Sequence, residues 1–246
     1  MDLHIILRNL LATAVAFGLS CHGLSKKSLN VSGSVAAVFV GYSAFAYSYR
    51  FGLILILFYY VSSKFTKWKQ EYKAKIEDDY AVGGQRNWMQ VLASSALATA
   101  VATAFYLLCG EDHHISFAQP VSADDVKIFT WVVNRSTMAT YLWTIYIAHY
   151  CTANADTWAS ELGVLSKNEP RLVTSLFLRV VPRGTNGGMS GFGTAASAAG
   201  GLFIGVIFWI CSFLPMVNGT VMFAQYPVLV YSLLCGLLGS LVDSIM

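Results

Sequence analysis

Residues 88–109 read Trp-Met-Gln-Val-Leu-Ala-Ser-Ser-Ala-Leu-Ala-Thr-Ala-Val-Ala-Thr-Ala-Phe-Tyr-Leu-Leu-Cys, 22 positions without a charge. A helix of that length spans about 33 Å, enough to cross the hydrocarbon core of a bilayer once. Six further apolar runs surround it, at about residues 3–24, 31–49, 51–63, 131–153, 191–217 and 226–246. The pair at 31–49 and 51–63 is short and meets at Arg50, which reads either as a tight helical hairpin or as a partly re-entrant pair. The first run resembles a signal peptide only loosely, because Arg8 lies inside it and no A-x-A site precedes Cys21; it is read as retained.

Composition agrees with these runs. Of the 246 residues only 12% are Asp, Glu, Lys or Arg, about half the roughly 25% of a soluble domain. The mean hydropathy is +0.56, which points to a bilayer as the solvent and excludes disorder, collagen-like repeats and secreted disulfide scaffolds. A net charge of +3 is too small to suggest nucleic acid as a partner. The five cysteines, at 21, 109, 151, 211 and 235, form no C-x-x-C pair and read as small packing residues.

If all seven runs cross, the linkers alternate sides, and the positive charges test that arrangement. One side collects Lys26, Lys27, Lys64, Lys67, Lys69, Lys73, Lys75, Arg86, Lys167, Arg171, Arg179 and Arg183, which is 12 of the 16. The other side keeps Arg50 and Lys127 with the acids Glu111, Asp112, Asp124 and Asp125. The positive-inside rule makes the basic side cytosolic, the N-terminus lumenal or exterior, and the end of the last run cytosolic.

Three features meet at that cytosolic boundary. Where the fifth run ends, residues 154–163 read Asn-Ala-Asp-Thr-Trp-Ala-Ser-Glu-Leu-Gly. On a continuous helix Asp156 and Glu161 lie about 140° apart around the axis. They share no tight face, but Mg²⁺ keeps several waters and usually takes one or two carboxylates plus substrate phosphates. Solvated acids at a polar helix end are the other reading of the same spacing.

The second feature is Arg183-Gly184-Thr185-Asn186-Gly187-Gly188-Met189-Ser190. Glycines allow close backbone approach, N–H groups ahead of a helix form an anion-binding concavity, and Arg183, Thr185, Asn186 and Ser190 add donors suited to phosphate. No Walker A pattern is present, and the Gly-x-Gly at 191–193 follows no βαβ unit. A flexible re-entrant turn is the alternative. The third feature is Asp243, an ionisable residue inside an apolar run and therefore a functional candidate by default. Three carboxylates and a glycine-rich loop converging on one boundary suggest a metal-bound phosphate site.

Elsewhere, Arg86 and Gln90 are expected one helical turn apart beside an interfacial Trp88. The basic linker 64–87 reads as a solvated loop or as a holder of anionic headgroups. His113 and His114 follow two acids but lack further ligands, His149 reads as a buried hydrogen-bonded residue, and Asn218-Gly219-Thr220 is a glycosylation sequon.

The runs 154–163, 182–194 and 83–92, with Lys27-Ser28-Leu29-Asn30-Val31-Ser32-Gly33-Ser34 and Gly239-Ser240-Leu241-Val242-Asp243-Ser244, resemble the transmembrane protein 19 family, also called domain of unknown function 92. The resemblance covers nearly the whole chain, and its Asp-Thr-Trp-Ala-Ser-Glu core is specific. It implies a multi-pass endomembrane protein whose relatives include phytyl-phosphate kinase, distantly similar to dolichol kinases and CDP-diglyceride synthases that use CTP and Mg²⁺. By that resemblance Asp156, Glu161 and Asp243 hold metal. Arg183, Gly184, Thr185, Asn186, Gly187 and Gly188, with Ser190 and Arg86, hold the nucleotide.

The expected fold is an all-α polytopic bundle of six or seven membrane helices with a cytosolic Gly-rich loop, a single domain over 1–246. Family chains usually continue past the last Asp-Ser through another span, so a C-terminally shortened chain is expected. The expected function is Mg²⁺-dependent phosphoryl transfer from CTP or ATP to an isoprenoid phosphate in the bilayer, with Asp156, Glu161 and Arg183 as catalytic residues. A transporter or channel built on a discontinuous helix, with Asp243 and Arg135 along the path, and a non-catalytic scaffold are the competing classes. The chain shows no convincing internal repeat to support transport.

Overall fold

In a computed structural model of the chain, the uncharged stretch at 88–109 is not one helix. It divides into α5 (Trp88–Ala93) and α6 (Ala96–Cys109), because Ser94 and Ser95 turn their hydroxyls back onto the Gln90 and Val91 carbonyls. Such bonds compete with the helical ladder. The Ser94 carbonyl that the break releases meets His149 Nε2 at 2.8 Å. The expectation of one uninterrupted helix there is corrected: an uncharged run reports its environment, while two adjacent hydroxyls decided its continuity.

The structure describes residues 3–74, 85–110, 125–128, 131–175, 179–213 and 225–246. Glu111, Asp112, His113, His114, Asp124, the Asn218 sequon and Lys75, Gly83 and Gly84 of the basic linker lie outside them. In chain order the other helices are α1 (Leu3–Ser25), α2 (Val31–Tyr47), α3 (Tyr49–Lys67), α4 (Gln70–Lys73), α7 (Arg135–Gly163), α8 (Gly191–Cys211) and α9 (Pro227–Ile245). Among the described residues three helices are long and apolar enough to cross a bilayer, α1 from Ile5, α8 and α9; α2 and α6 are shorter apolar helices. Two antiparallel ribbons interrupt the expected all-helical pattern, β1 (Asp125–Ile128) with β2 (Trp131–Asn134), and β3 (Arg171–Leu172) with β4 (Gly188–Met189). Each is too short for a periodicity signal to stand out in the sequence.

Local chemistry explains the helix starts. Asn30, Asn134 and Ser190 cap α2, α7 and α8 by accepting from Gly33, Ser136 and Gly193 N–H groups. Asn87 and Gln90 form a reciprocal capping box at α5, so the helix begins after Arg86, and Arg86 and Gln90 do not share a helical face as the spacing suggested. Ser48 ends α2 and caps α3 through the Arg50 N–H, so the two helices are joined at one residue.

The core is aromatic. Phe51 stacks on Trp143 at 4.1 Å between ring centroids, and Tyr146, buried beside them, donates its hydroxyl to the Phe51 carbonyl at 2.8 Å. Around this cluster α7, α8 and α9 pack through small residues. A Cβ on Gly200 would lie 2.9 Å from the Ala155 Cα, and one on Gly201 would lie 2.5 Å from the Ser232 carbonyl oxygen and 2.8 Å from the Gly236 Cα. Tyr231 Oη donates to the Thr144 carbonyl and Thr152 Oγ1 to the Cys235 carbonyl, so α9 runs parallel to α7. Parallel packing brings their C-terminal ends, with Asp156 and Asp243, to one end of the bundle.

Candidate phosphate and metal site

The apolar run at 131–153 begins as β2 and continues as α7, which runs without interruption for 29 residues and carries Asp156 past the end of that run. Asn154, fully buried, fixes the register there: its Nδ2 donates to the Gly200 carbonyl at 2.8 Å and its Oδ1 accepts from Ser62 Oγ at 3.0 Å. Across α8, Ser197 Oγ donates to Ser240 Oγ at 3.0 Å. These contacts hold three helix ends around a polar cavity of about 270 Å³.

Asp156 and Asp243 form one wall of that cavity, and the loop from Arg183 through Ser190 forms another, with Gly193 and Thr194 at the N-terminus of α8. Gly184 and Gly187 adopt left-handed backbone, with φ of 84° and 74°. The loop is pinned by Gly188 N–H donating to the Thr185 carbonyl and Val173 N–H donating to the Gly187 carbonyl. Arg183 reaches Tyr72 Oη at 3.0 Å and the Lys167 carbonyl at 2.9 Å. Both partners are neutral, so its charge remains available to an anion in the cavity.

The two aspartates repel each other. Burial first, then the charge and hydrogen bonding of Asp243, push the Asp156 carboxyl up to about 6. Two like charges close together beside neutral hydroxyls and a guanidinium suit a divalent cation plus phosphate oxygens. The donor set is all oxygen, as a hard cation requires.

The other expected site residues lie elsewhere. Glu161 Oε2 accepts from Lys73 Nζ at 2.6 Å, a pair in which Lys73 is 1% exposed and Glu161 20%. Lys73 also donates to the Phe65 carbonyl. Among the described residues no group of three metal-binding side chains assembles, so the acids converge as a pair rather than the expected triad. Arg86 is likewise outside the polar cavity. Its backbone bridges to Ser28 and Asn30, and it lines a separate apolar cavity of about 80 Å³ between α1, α2 and α3. Conversely, Ser160, Ser240 and Ser244, quoted only as parts of the runs 154–163 and 239–244, line the polar cavity, and so does Ser197, which lies outside every quoted run. Their signal was only that small hydroxylated residues recur on helices that must approach closely.

Glu161→Gln is expected to lower thermal stability by about 1–2 kcal/mol, because buried Lys73 loses its counterion. The Mg²⁺-induced rise in melting temperature should survive in this variant. Differential scanning fluorimetry with and without Mg²⁺ checks both parts.

An apolar helical bundle with a polar, acid-lined cavity at one end is the build of a multi-pass integral membrane protein. The family model for integral membrane protein DUF92 matches residues 14–246, and the chain belongs to that family. Protein PGR of Arabidopsis thaliana is 34% identical over 241 residues, 97% of this chain and 77% of the plant protein. An uncharacterized membrane protein of Methanocaldococcus jannaschii is 34% identical over 100 residues, 41% of this chain and 37% of its own length. No solved structure matches.

Proposed function

We propose that the protein is an endomembrane phosphotransferase that uses Mg²⁺ and CTP or ATP to phosphorylate an isoprenoid phosphate. In this reading six or seven of the apolar segments cross the bilayer, the N-terminus is lumenal or exterior, and the basic loops and the cavity face the cytosol. The observation that carries it is the meeting of Asp156, Asp243 and the Arg183–Ser190 loop around one cavity.

The chemistry asks little of a base. The acceptor phosphate, with a second pKa near 6, attacks as a dianion through a non-bridging oxygen. A new P–O bond forms to the terminal phosphorus of the nucleotide, the bond from that phosphorus to its bridging oxygen breaks, and the electron pair leaves with the nucleoside diphosphate. The protein's part is positioning and charge. The loop N–H groups and Arg183 would hold the nucleotide phosphates, and Asp156 and Asp243 would hold the cation that neutralises charge on the transferring group. Incubating purified protein with Mg²⁺, terminally labelled CTP or ATP, and farnesyl or phytyl phosphate should yield labelled lipid diphosphate. No label with either donor overturns the reading.

The raised Asp156 gives a pH signature. Its proton is held more tightly in the folded chain than in the unfolded one, where the group titrates near 4. Its contribution to stability is therefore complete below about pH 4 and disappears as pH rises through about 6. A Mg²⁺ ion held by the Asp156–Asp243 pair would compete with that proton, so the metal-induced rise in melting temperature should be small at pH 5 and large at pH 7.5. Equal rises at both pH values would count against the acid pair as the metal site.

A further inference from the structure

Asp156 and Asp243 have a second side. On the face away from the glycine-rich loop they close one end of an open groove between the α5–α6 break, α7 and α9. Its walls include Leu97, Ile145 and Ala148, and Leu97 and Ile145 are 56% and 44% exposed. The polar side chains along it are already engaged by the protein's own backbone: Tyr231 with the Thr144 carbonyl, Thr152 with the Cys235 carbonyl, and His149 Nε2 with the Ser94 carbonyl. The groove is thus apolar along its length and acidic only at its end. From Ile145 to Asp156 it follows α7 for about 16 Å.

We infer that this groove seats the hydrocarbon tail of the acceptor, with the tail's phosphate head at the Asp156–Asp243 pair. The inference rests on the phosphotransferase reading for the head and on the groove itself for the tail. An occupant must present anionic oxygens to a cation at one end and bare hydrocarbon for the length of a few isoprene units beyond it. A free nucleotide or inorganic phosphate meets only the first demand, and a neutral lipid only the second. The two carboxylates would then stand between donor and acceptor, with the nucleotide entering from the polar cavity and the lipid from the side of the bundle. The α5–α6 break is part of this design, because it is the released Ser94 carbonyl that ties His149 and α7 to the groove's rim.

Leu97→Trp and Ala148→Phe are chosen to shorten the groove, the first at an exposed position that a larger ring can occupy without entering the core. Each should raise the KM for farnesyl phosphate about tenfold, the effect of losing burial of roughly two methylenes, while the KM for nucleotide stays unchanged. A parallel experiment needs no turnover: a farnesyl phosphate analogue with a diazirine at the tail end is irradiated with wild-type protein in nanodiscs, and the adducts are mapped. Adducts on residues 93–97 and 145–149 that excess farnesyl phosphate suppresses and farnesol does not are the expected result. Adducts that farnesyl phosphate fails to suppress, or that fall in the apolar cavity beside Tyr59, overturn the inference. If those adducts appear but no label is ever transferred, the phosphotransferase reading fails and the lipid-phosphate groove stands. If label is transferred while the adducts fall elsewhere, the groove fails alone.

Discussion

Asp156→Asn and Asp243→Asn should each lower the rate of phosphoryl transfer by about 10²–10³-fold, the scale on which removal of one preorganised charge-stabilising group acts. The two side chains face the same cavity, and Asp243 helps to raise the Asp156 carboxyl, so they are expected to work as a unit. The double variant should therefore be little worse than either single one, since once one ligand is lost the other has no ion to share. Asp243→Asn also removes the second cause of the raised Asp156 carboxyl, which should return part of the way toward its usual range. Steady-state kinetics across a Mg²⁺ titration reads this out: the midpoint for Mg²⁺ should move up together with the loss of rate. Transfer that survives either substitution with an unchanged Mg²⁺ midpoint would remove the acid pair from the mechanism.

Gly201→Ala should lower stability by about 3 kcal/mol, toward the upper end for overpacking, or roughly 6–12 °C in melting temperature. The reason is that the new methyl meets α9 backbone at two successive turns, at the Ser232 carbonyl and the Gly236 Cα, and backbone on a packed helix cannot swing aside as a side-chain tip can. Relief requires α8 and α9 to separate. One helical turn further along, separation stretches the Ser197–Ser240 hydrogen bond, and beyond it Asp243 moves away from Asp156. The variant should thus lose Mg²⁺ affinity as well as stability. Gly18→Ala is the matched control, since a Cβ there meets nothing within 4 Å. Thermal unfolding in detergent compares the two directly, and equal melting temperatures would mean that the α8–α9 contact does not set the site.

Much of the site was legible because its chemistry is local. The loop at 183–190 carries its glycines, guanidinium and hydroxyls in one continuous run, and the α7 end carries Asp156 just beyond an apolar stretch. The separation of Asp156 from Glu161 was also present in the helical arithmetic, because about 140° of rotation turns the second acid toward α4 and Lys73. What no spacing revealed was that Lys73, fully buried in a basic linker, was the partner waiting there. Arg86 misled for a similar reason: its neighbours Asn87 and Gln90 formed a cap, which left Arg86 ahead of the helix and its backbone paired with the 28–30 segment.

The sequence by itself determined the solvent and the building blocks, because transfer of apolar side chains and the capping of helix ends depend on composition and near neighbours. Only the tertiary structure decided that two acids 87 positions apart meet while two acids five apart do not. That outcome follows from small residues on α7, α8 and α9, which let the helices pack backbone to backbone. Helix approach is set by what is absent from a surface, and its partner surface lies far along the chain.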